Sequence, residues 1–356
     1  MTLSVEKTVR LSGHSSPKLG NVTKLTLAGD FGYSTAQLFG SLVRVNQPSY
    51  LLPLEVDKLP DTPKQGVFSY IDGDAKTMIG KSFAVGSVAH AIDADACRKN
   101  ADSPENKIDN SLIMLLGLLT YQAGLPGDIE VSLLTCLQKV TAELREQVTA
   151  VYRGRHTISF AGRLMSITVR PLGVADEGLG VLATTPHAAT NKDTVVLSIG
   201  GGTVNVSQFK GGKLVTQKPF NGGVMRLYEE LALAPSLVSK LKAAGDAHVV
   251  RAGVERKDFL YGKNSAIQRH SFEDDYLAEL PRWFESTLKR PLQHAMPLLT
   301  AADAGLVFGG GAMLPGIEVL LKTAGYTVVV DPVNANVAGL YEVAKALVAK
   351  GGRSNG

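Results

Sequence analysis

Two stretches decide the fold: KLTLAGDFGYSTAQLF, residues 24–39, and TVVLSIGGGTVNVSQF, residues 194–209. Each reads as an apolar strand, a short turn carrying glycine and hydroxyl side chains, and a second strand leading back. Aligning the turns sets Asp30 opposite Ser198, Gly32 opposite Gly200 and Thr35 opposite Thr203. One strand–turn–strand unit repeated in successive halves points to duplicated domains that face one another across a cleft.

Outward from these hairpins, strand-like and helix-like segments alternate, which argues for α/β layers. Residues 43–107, rich in Pro, Gly and Asp, read as an insertion or small subdomain. Helical periodicity follows over Asn106–Ala123, then a buried strand over Ile129–Thr135, an amphipathic helix over Thr141–Tyr152 and strand pairs over Ile158–Val169. In the second half, KGGK (210–213) supplies a hairpin turn. Helices are expected over Gly223–Ala244 and Asp275–Leu299, the latter bent or broken at Pro281, Pro291 and Pro297. Gly305–Phe308 is a strand, GGGA (309–312) a turn, and Pro315 opens a helix. Tyr326–Asp331 reads as the last strand and Asn334–Ala349 as the last helix. The expected division is residues 22–190 plus 330–350 for one domain, holding the insertion. Residues 191–329 form the other, with a helical subdomain over about 224–300.

Composition narrows the class. Hydrophobic residues make up 44% and charged residues 20%, the profile of a globular chain. The net charge of +4 comes from 37 basic and 33 acidic residues with no basic block, so direct DNA binding is not indicated. Cys97 and Cys136 make neither a metal-ligand spacing nor a disulfide framework, which fits a reducing cytoplasm. The N-terminus lacks a signal-peptide core, and the apolar run Leu112–Leu119 is too short to span a bilayer, so no membrane association is expected. The first ~20 residues are expected to be a flexible start and the GGRSNG tail to be disordered. The seven histidines share no metal-ligand spacing.

Phosphate is held by backbone N–H groups that can approach closely, and glycine permits that approach. The first turn offers Gly32, the amides of Tyr33 and Ser34, and the hydroxyls of Ser34 and Thr35. The second offers Gly200, Gly201, Gly202 and Thr203. Asp30, at a strand end, is a candidate for holding the water shell of Mg²⁺, which takes few protein ligands. Either turn alone reads equally well as a plain hairpin; the repeat, with a third turn at Gly309, Gly310, Gly311 and Ala312, argues against that. At this third turn a flat base or ribose could lie against the backbone. No GxxxxGK[ST] loop is present, which disfavours a P-loop enzyme.

These motifs, in this order, resemble the superfamily of actin, sugar kinases and heat-shock chaperone ATPases. DPVNANVAGLYEVAKAL (331–347) and DEGLGVLA (176–183) are most similar to segments of bacterial plasmid-segregation actins of the ParM/StbA type. The resemblance spans about residues 22–349. It implies an actin-like fold: two duplicated, ribonuclease H-like α/β domains around a nucleotide cleft, each with a smaller insertion. It also implies ATP or GTP with Mg²⁺ as cofactors, self-association into filaments, slow nucleotide hydrolysis, and DNA cargo reached through an adaptor protein. Carried over by position, Asp30, Gly32, Ser34 and Thr35 match the first phosphate motif. Gly200–Thr203 match the second and Gly309–Ala312 the adenosine motif, while Gly222 and Gly223 match glycines near the nucleotide.

Three departures bear on hydrolysis. Ser198 stands where the family places an aspartate, Asn205 where a second acid is frequent, and Gln37 where many relatives carry a phosphate-binding lysine. A serine supplies no negative charge, so water activation and metal affinity are expected to be weak, and Ser198→Asp to speed phosphate release. Gln138 is the first candidate for positioning water and Glu143 the second, though both read equally as ordinary helix residues. A nucleotide-binding scaffold with little hydrolysis and a small-molecule kinase remain the competing readings.

Overall fold

The computed structural model describes residues 22–55, 64–100, 104–185, 192–262 and 270–353. The first twenty-one residues, read as a flexible start, lie outside that range. The closing tail is partly within it, because the last helix runs on to Arg353.

Among the described residues ten strands form the first sheet: β1 (Thr23–Phe31), β2 (Thr35–Gly40), β3 (Arg44–Pro48), β4 (Tyr50–Leu54), β5 (Val67–Gly73), β6 (Ser82–Val85), β7 (Arg98–Lys99), β8 (Asp128–Leu137), β9 (Gly154–Phe160) and β10 (Arg163–Asp176). Their order is β3-β2-β1-β8-β10-β9-β5-β6-β4-β7. The second sheet takes β11 (Asp193–Ile199), β12 (Thr203–Lys210) and β13 (Lys213–Asn221), β14 (Leu260–Tyr261) and β15 (His270–Ser271) form a separate ribbon, and β16 (Ala304–Phe308) and β17 (Thr327–Val328) complete the second sheet. Its order, β13-β12-β11-β16-β17, repeats the β3-β2-β1-β8-β10 portion of the first. In both, the hairpin strands pair antiparallel and the next two strands join parallel. The duplication read from the sequence is therefore a duplication of topology.

The helices are α1 (Ser87–Ile92), α2 (Pro104–Asp109), α3 (Ser111–Leu119), α4 (Ala142–Tyr152), α5 (Leu179–Thr184) and α6 (Val224–Ala232). They continue with α7 (Pro235–Leu241), α8 (Ala247–Arg256), α9 (Glu273–Trp283), α10 (Lys289–Thr300), α11 (Ile317–Thr323) and α12 (Ala335–Arg353). α3 is buried along its whole length, as its uniformly apolar sequence requires. The Thr141 side chain caps α4 by accepting from the Leu144 amide.

Residues 43–107 do not stand apart from the first sheet. β3 extends one edge through β2, and β5, β6, β4 and β7 extend the other beyond β9. α9 and α10 are not broken by their prolines; a π-helical turn over Phe284–Leu288 joins them. Burial of Trp283, Leu288 and Ala295 on the inner face outweighs the roughly 3 kcal/mol that an interior proline costs. Pro315 does not open α11, which starts at Ile317 after Gly316 adopts a positive φ of 87°. β17 has only two residues, because beyond Val328 a single Val329 N–H to Val307 O bond continues the pairing before Asp331 turns the chain.

α12 returns from the second sheet to pack on the first, where Val337, Leu340 and Ala344 meet Ala28, Leu134 and Cys136. It crosses α5 at a glycine pair: a Cβ on Gly339 would fall 1.7 Å from the Gly180 carbonyl oxygen, and one on Gly180 would fall 1.9 Å from that of Asn336. Only glycines let these backbones approach so closely.

Candidate functional site

The two repeated hairpins meet at their turns. Gly32 N–H bonds the Thr35 carbonyl at 2.9 Å, and Gly200 N–H bonds the Thr203 carbonyl at 3.0 Å, so the turns are built alike. Within each hairpin, Asp30 pairs with Gln37 and Ser198 with Asn205. A Cβ on Gly201 would lie 2.2 Å from Ser34 Oγ, which shows how closely the turns abut.

Between them lies a cavity of about 1070 Å³. It is lined by Asp30, Gly32, Tyr33, Ser34, Thr35 and Gln37 from the first hairpin, and by Ser198, Gly200, Gly201, Gly202 and Thr203 from the second. Gly222, Gly223, Gly309 and Gly310 also line it, whereas Gly311 and Ala312 are buried behind the wall. Met313 and Leu314 offer apolar surface beside the third turn. Gln138 lines the cavity as well; Glu143 does not, being exposed in the first turn of α4. The α6 amides of Val224 and Met225 bond the carbonyls of Gly200 and Gly201, and buried Trp283 donates Nε1–H to the Gly223 carbonyl at 3.0 Å. Trp283 is thus a brace for the second turn.

Two residues at the heart of this site escaped the sequence reading. Glu177, just after β10, accepts a hydrogen bond from Ser198 Oγ at 2.8 Å and another from Asn205 Nδ2 at 3.5 Å. Asn205 Oδ1 in turn accepts from Gln138 Nε2, which orients the Gln138 amide. Burial raises the Glu177 carboxyl above its ordinary range, and the Asp30 charge raises it further, against the lowering influence of Lys107 and its two donors. The second, Lys107 on α2, lines the cavity beside these acids. Burial works against its charge, but Asp30, Cys136 and Glu177 together hold it above the usual lysine range. The acid absent from position 198 is therefore present in space, delivered by another element.

α12 secures the first hairpin. Asn336, buried, donates Nδ2–H to Asp30 Oδ2 at 3.0 Å while its Oδ1 accepts from the Gly178 amide. Gln37 donates to the Val333 carbonyl at 2.9 Å and to Asn334 Oδ1 at 2.8 Å. Across the cleft, Arg251 on α8 donates to the Ser34 carbonyl at 2.8 Å and to Thr35 Oγ1 at 3.2 Å. Lys99 joins Tyr33 Oη at 3.0 Å to Glu229 at 3.2 Å, and His90 meets Asp246 at 3.1 Å.

Among the described residues no group of three or more His, Cys, Asp or Glu is placed to hold a metal ion by itself; the cleft offers the carboxylates of Asp30 and Glu177, the oxygen chemistry that a hard divalent cation takes. Such a cation keeps several waters and completes its shell from phosphate. The two glycine turns, the two acids and Gln138 line this one cavity. No helix among the described residues is long and apolar enough to cross a membrane.

No protein-family model matches the sequence, and no curated protein is significantly similar to it. Solved structures are similar. The actin-like protein Alp7A aligns with a TM-score of 0.67 at 14% identity, over 94% of this chain and 99% of its own. A ParM from Clostridium botulinum, solved as a 15-stranded filament, aligns at 0.62 and 17%, over 91% and 100%. A Bacillus thuringiensis ParM hybrid solved with ADP aligns at 0.58 and 14%, over 93% of this chain and 50% of that one. With the repeated strand order and the paired glycine turns, these likenesses establish that the chain has the actin-like fold.

Proposed function

We propose that this protein binds a purine nucleoside triphosphate with Mg²⁺ in the cleft between its two halves, residues 22–190 plus 330–350 and 191–329. Nucleotide binding drives assembly into actin-like filaments, and slow hydrolysis allows their disassembly. The observation that carries this reading is the pair of matched turns, closed by Gly32–Thr35 and Gly200–Thr203 hydrogen bonds, that face one cavity. Its volume of about 1070 Å³ is ample for a nucleotide.

In this reading the amides of both turns cradle the phosphates and the third turn, with Met313 and Leu314, receives the nucleoside. Asp30 and Glu177 would hold the Mg²⁺ water shell, and the cation would offset phosphate charge. Gln138 orients the attacking water and the Glu177 carboxylate accepts its proton. The ParM filament supports assembly as the output, and plasmid partition through a DNA-bound adaptor is the corresponding cellular role. A second reading, a nucleotide-binding scaffold that hydrolyses little, is supported by the burial that raises the Glu177 carboxyl and so favours its protonated form.

The test is light scattering and phosphate release followed together, with Mg-ATP, Mg-GTP and a non-hydrolysable analogue. Nucleotide-dependent scattering with slow phosphate release is expected. Scattering without phosphate release selects the scaffold, and a protein that stays monomeric at high concentration with every nucleotide excludes the filament.

A further inference from the structure

The cleft carries two acids, Asp30 and Glu177, where a nucleotide would bring its most negative group. A terminal phosphate can enter only if cations outweigh that repulsion. Of the basic residues lining the cavity, Lys139 and Lys257 are exposed at its rim, and Arg226 is exposed and paired with Glu230. Arg251 is committed to the first turn and to Glu255. Lys107 differs from all four. It is half-buried, it feels both Asp30 and Glu177, and among the described residues it makes no direct ion pair or hydrogen bond.

Its backbone is anchored on the first core. Ile108, the next residue, is buried in the first core, and Ser111 Oγ bonds the Ile108 carbonyl at 2.6 Å, anchoring α2 against α3. From that anchor a flexible four-carbon stem carries three donors, which suits a point-charge contact to phosphate. Gln37, at the hairpin position where a lysine was expected, is neutral and spends its amide on Val333 and Asn334.

We propose that Lys107 is the terminal-phosphate ligand of this cleft, a cation supplied by the helix after the insertion in place of one on the hairpin. In the nucleotide-free state it offsets the charge of the Asp30–Glu177 pair; with nucleoside triphosphate and Mg²⁺ bound, the cation would supply that positive charge and Lys107 would be free to contact the terminal phosphate. α2 closes the segment that carries β3–β7, so this contact lets that segment distinguish triphosphate from diphosphate.

The inference rests on the nucleotide-binding reading, and the test separates the two. Calorimetric affinities for Mg-ATP, Mg-ADP and adenosine are compared in wild type, Lys107→Met and Lys107→Arg, with circular dichroism melting as the fold control. Loss of one charge-assisted contact predicts about ten- to a hundredfold weaker ATP binding in Lys107→Met. ADP and adenosine should change far less, and Lys107→Arg should retain most of the ATP preference. An unchanged ATP-to-ADP ratio, or an equal loss for both with a lowered Tm, overturns the inference while leaving nucleotide binding intact. If wild type binds no nucleotide, the functional reading itself falls. Should Lys107→Met fail to fold, Lys107→Arg and Lys107→Gln carry the comparison.

Discussion

Ser198 Oγ donates to Glu177 Oε1 at 2.8 Å, so the strand end before the second glycine turn grips a carboxylate that its own sequence does not encode. Asn205 reaches the other oxygen of the same group. If Glu177 accepts the proton of the attacking water, Glu177→Gln keeps the shape and removes the base. Phosphate release should then fall by roughly 10²–10⁴, the usual worth of a positioned base, while nucleotide affinity measured without Mg²⁺ changes little. Single-turnover phosphate release beside equilibrium binding checks this; an unchanged rate would remove Glu177 from the mechanism.

The same contact reverses an expectation drawn from sequence. Ser198→Asp seemed a way to restore a missing charge, but the new carboxylate would face Glu177 at hydrogen-bond distance in a buried setting that already contains Asp30. Like charges so close cannot all ionise, and one must hold a proton. We therefore expect no acceleration, and a lower Tm at neutral pH than Ser198→Ala shows. Phosphate release faster than wild type would mean that the aspartate displaces Glu177 and serves in its place.

The hairpins were legible because β-branched and apolar runs interrupted by glycine leave few alternatives to a strand and a turn. The apolar run that opens the 194–209 stretch was read as a strand and is one, over Asp193–Ile199. Glu177 was not legible, since it reaches Ser198 only through the parallel pairing of β10 on β8 and the docking of α5, long-range events without a local signature. Lys107 lies at the end of a weakly patterned stretch, and its importance comes from what α2 is packed against. Gln37 was recognisable as a departure, but its partners Val333 and Asn334 are almost three hundred residues away. The prolines of α9 and α10 were read as bending or breaking the helix; the two helices are continuous through an irregular π turn over Phe284–Leu288, three residues past Pro281.

His156 gives the fold a pH dependence away from the cleft. Its ring is buried; Nε2 faces the Tyr152 carbonyl at 3.2 Å and so carries the proton, leaving Nδ1 to accept from Tyr70 Oη at 2.9 Å. Burial lowers its pKa, against smaller raising effects from Tyr152 and Asp74. Below about pH 6.5 the unfolded chain takes up a proton that the folded ring refuses. Stability is thus full above that pH and declines as pH falls toward the depressed value. Urea midpoints measured from pH 8 to pH 5 should fall more steeply for wild type than for His156→Gln, and parallel curves would mean that the ring is charged in the folded state.

The α5–α12 crossing links stability to the site. Gly339 and Gly180 are so close that a methyl group on either must displace the opposing backbone, which no rotamer change relieves. Gly339→Ala should therefore cost about 1–3 kcal/mol, the usual penalty for overpacking, even though alanine is the better helix former. Gly351, on the same helix, is the control, because an added Cβ there meets nothing within 4 Å; Gly351→Ala should leave Tm unchanged or slightly raised. A shift of α12 would also carry Asn336 away from Asp30 and from the Gly178 amide. Gly339→Ala is accordingly expected to weaken Mg-nucleotide binding at temperatures well below its Tm, whereas Gly351→Ala is not. Thermal melts paired with binding isotherms at 15 °C check both halves. A destabilised Gly339→Ala protein with wild-type affinity would show that α12 supports the fold without positioning Asp30.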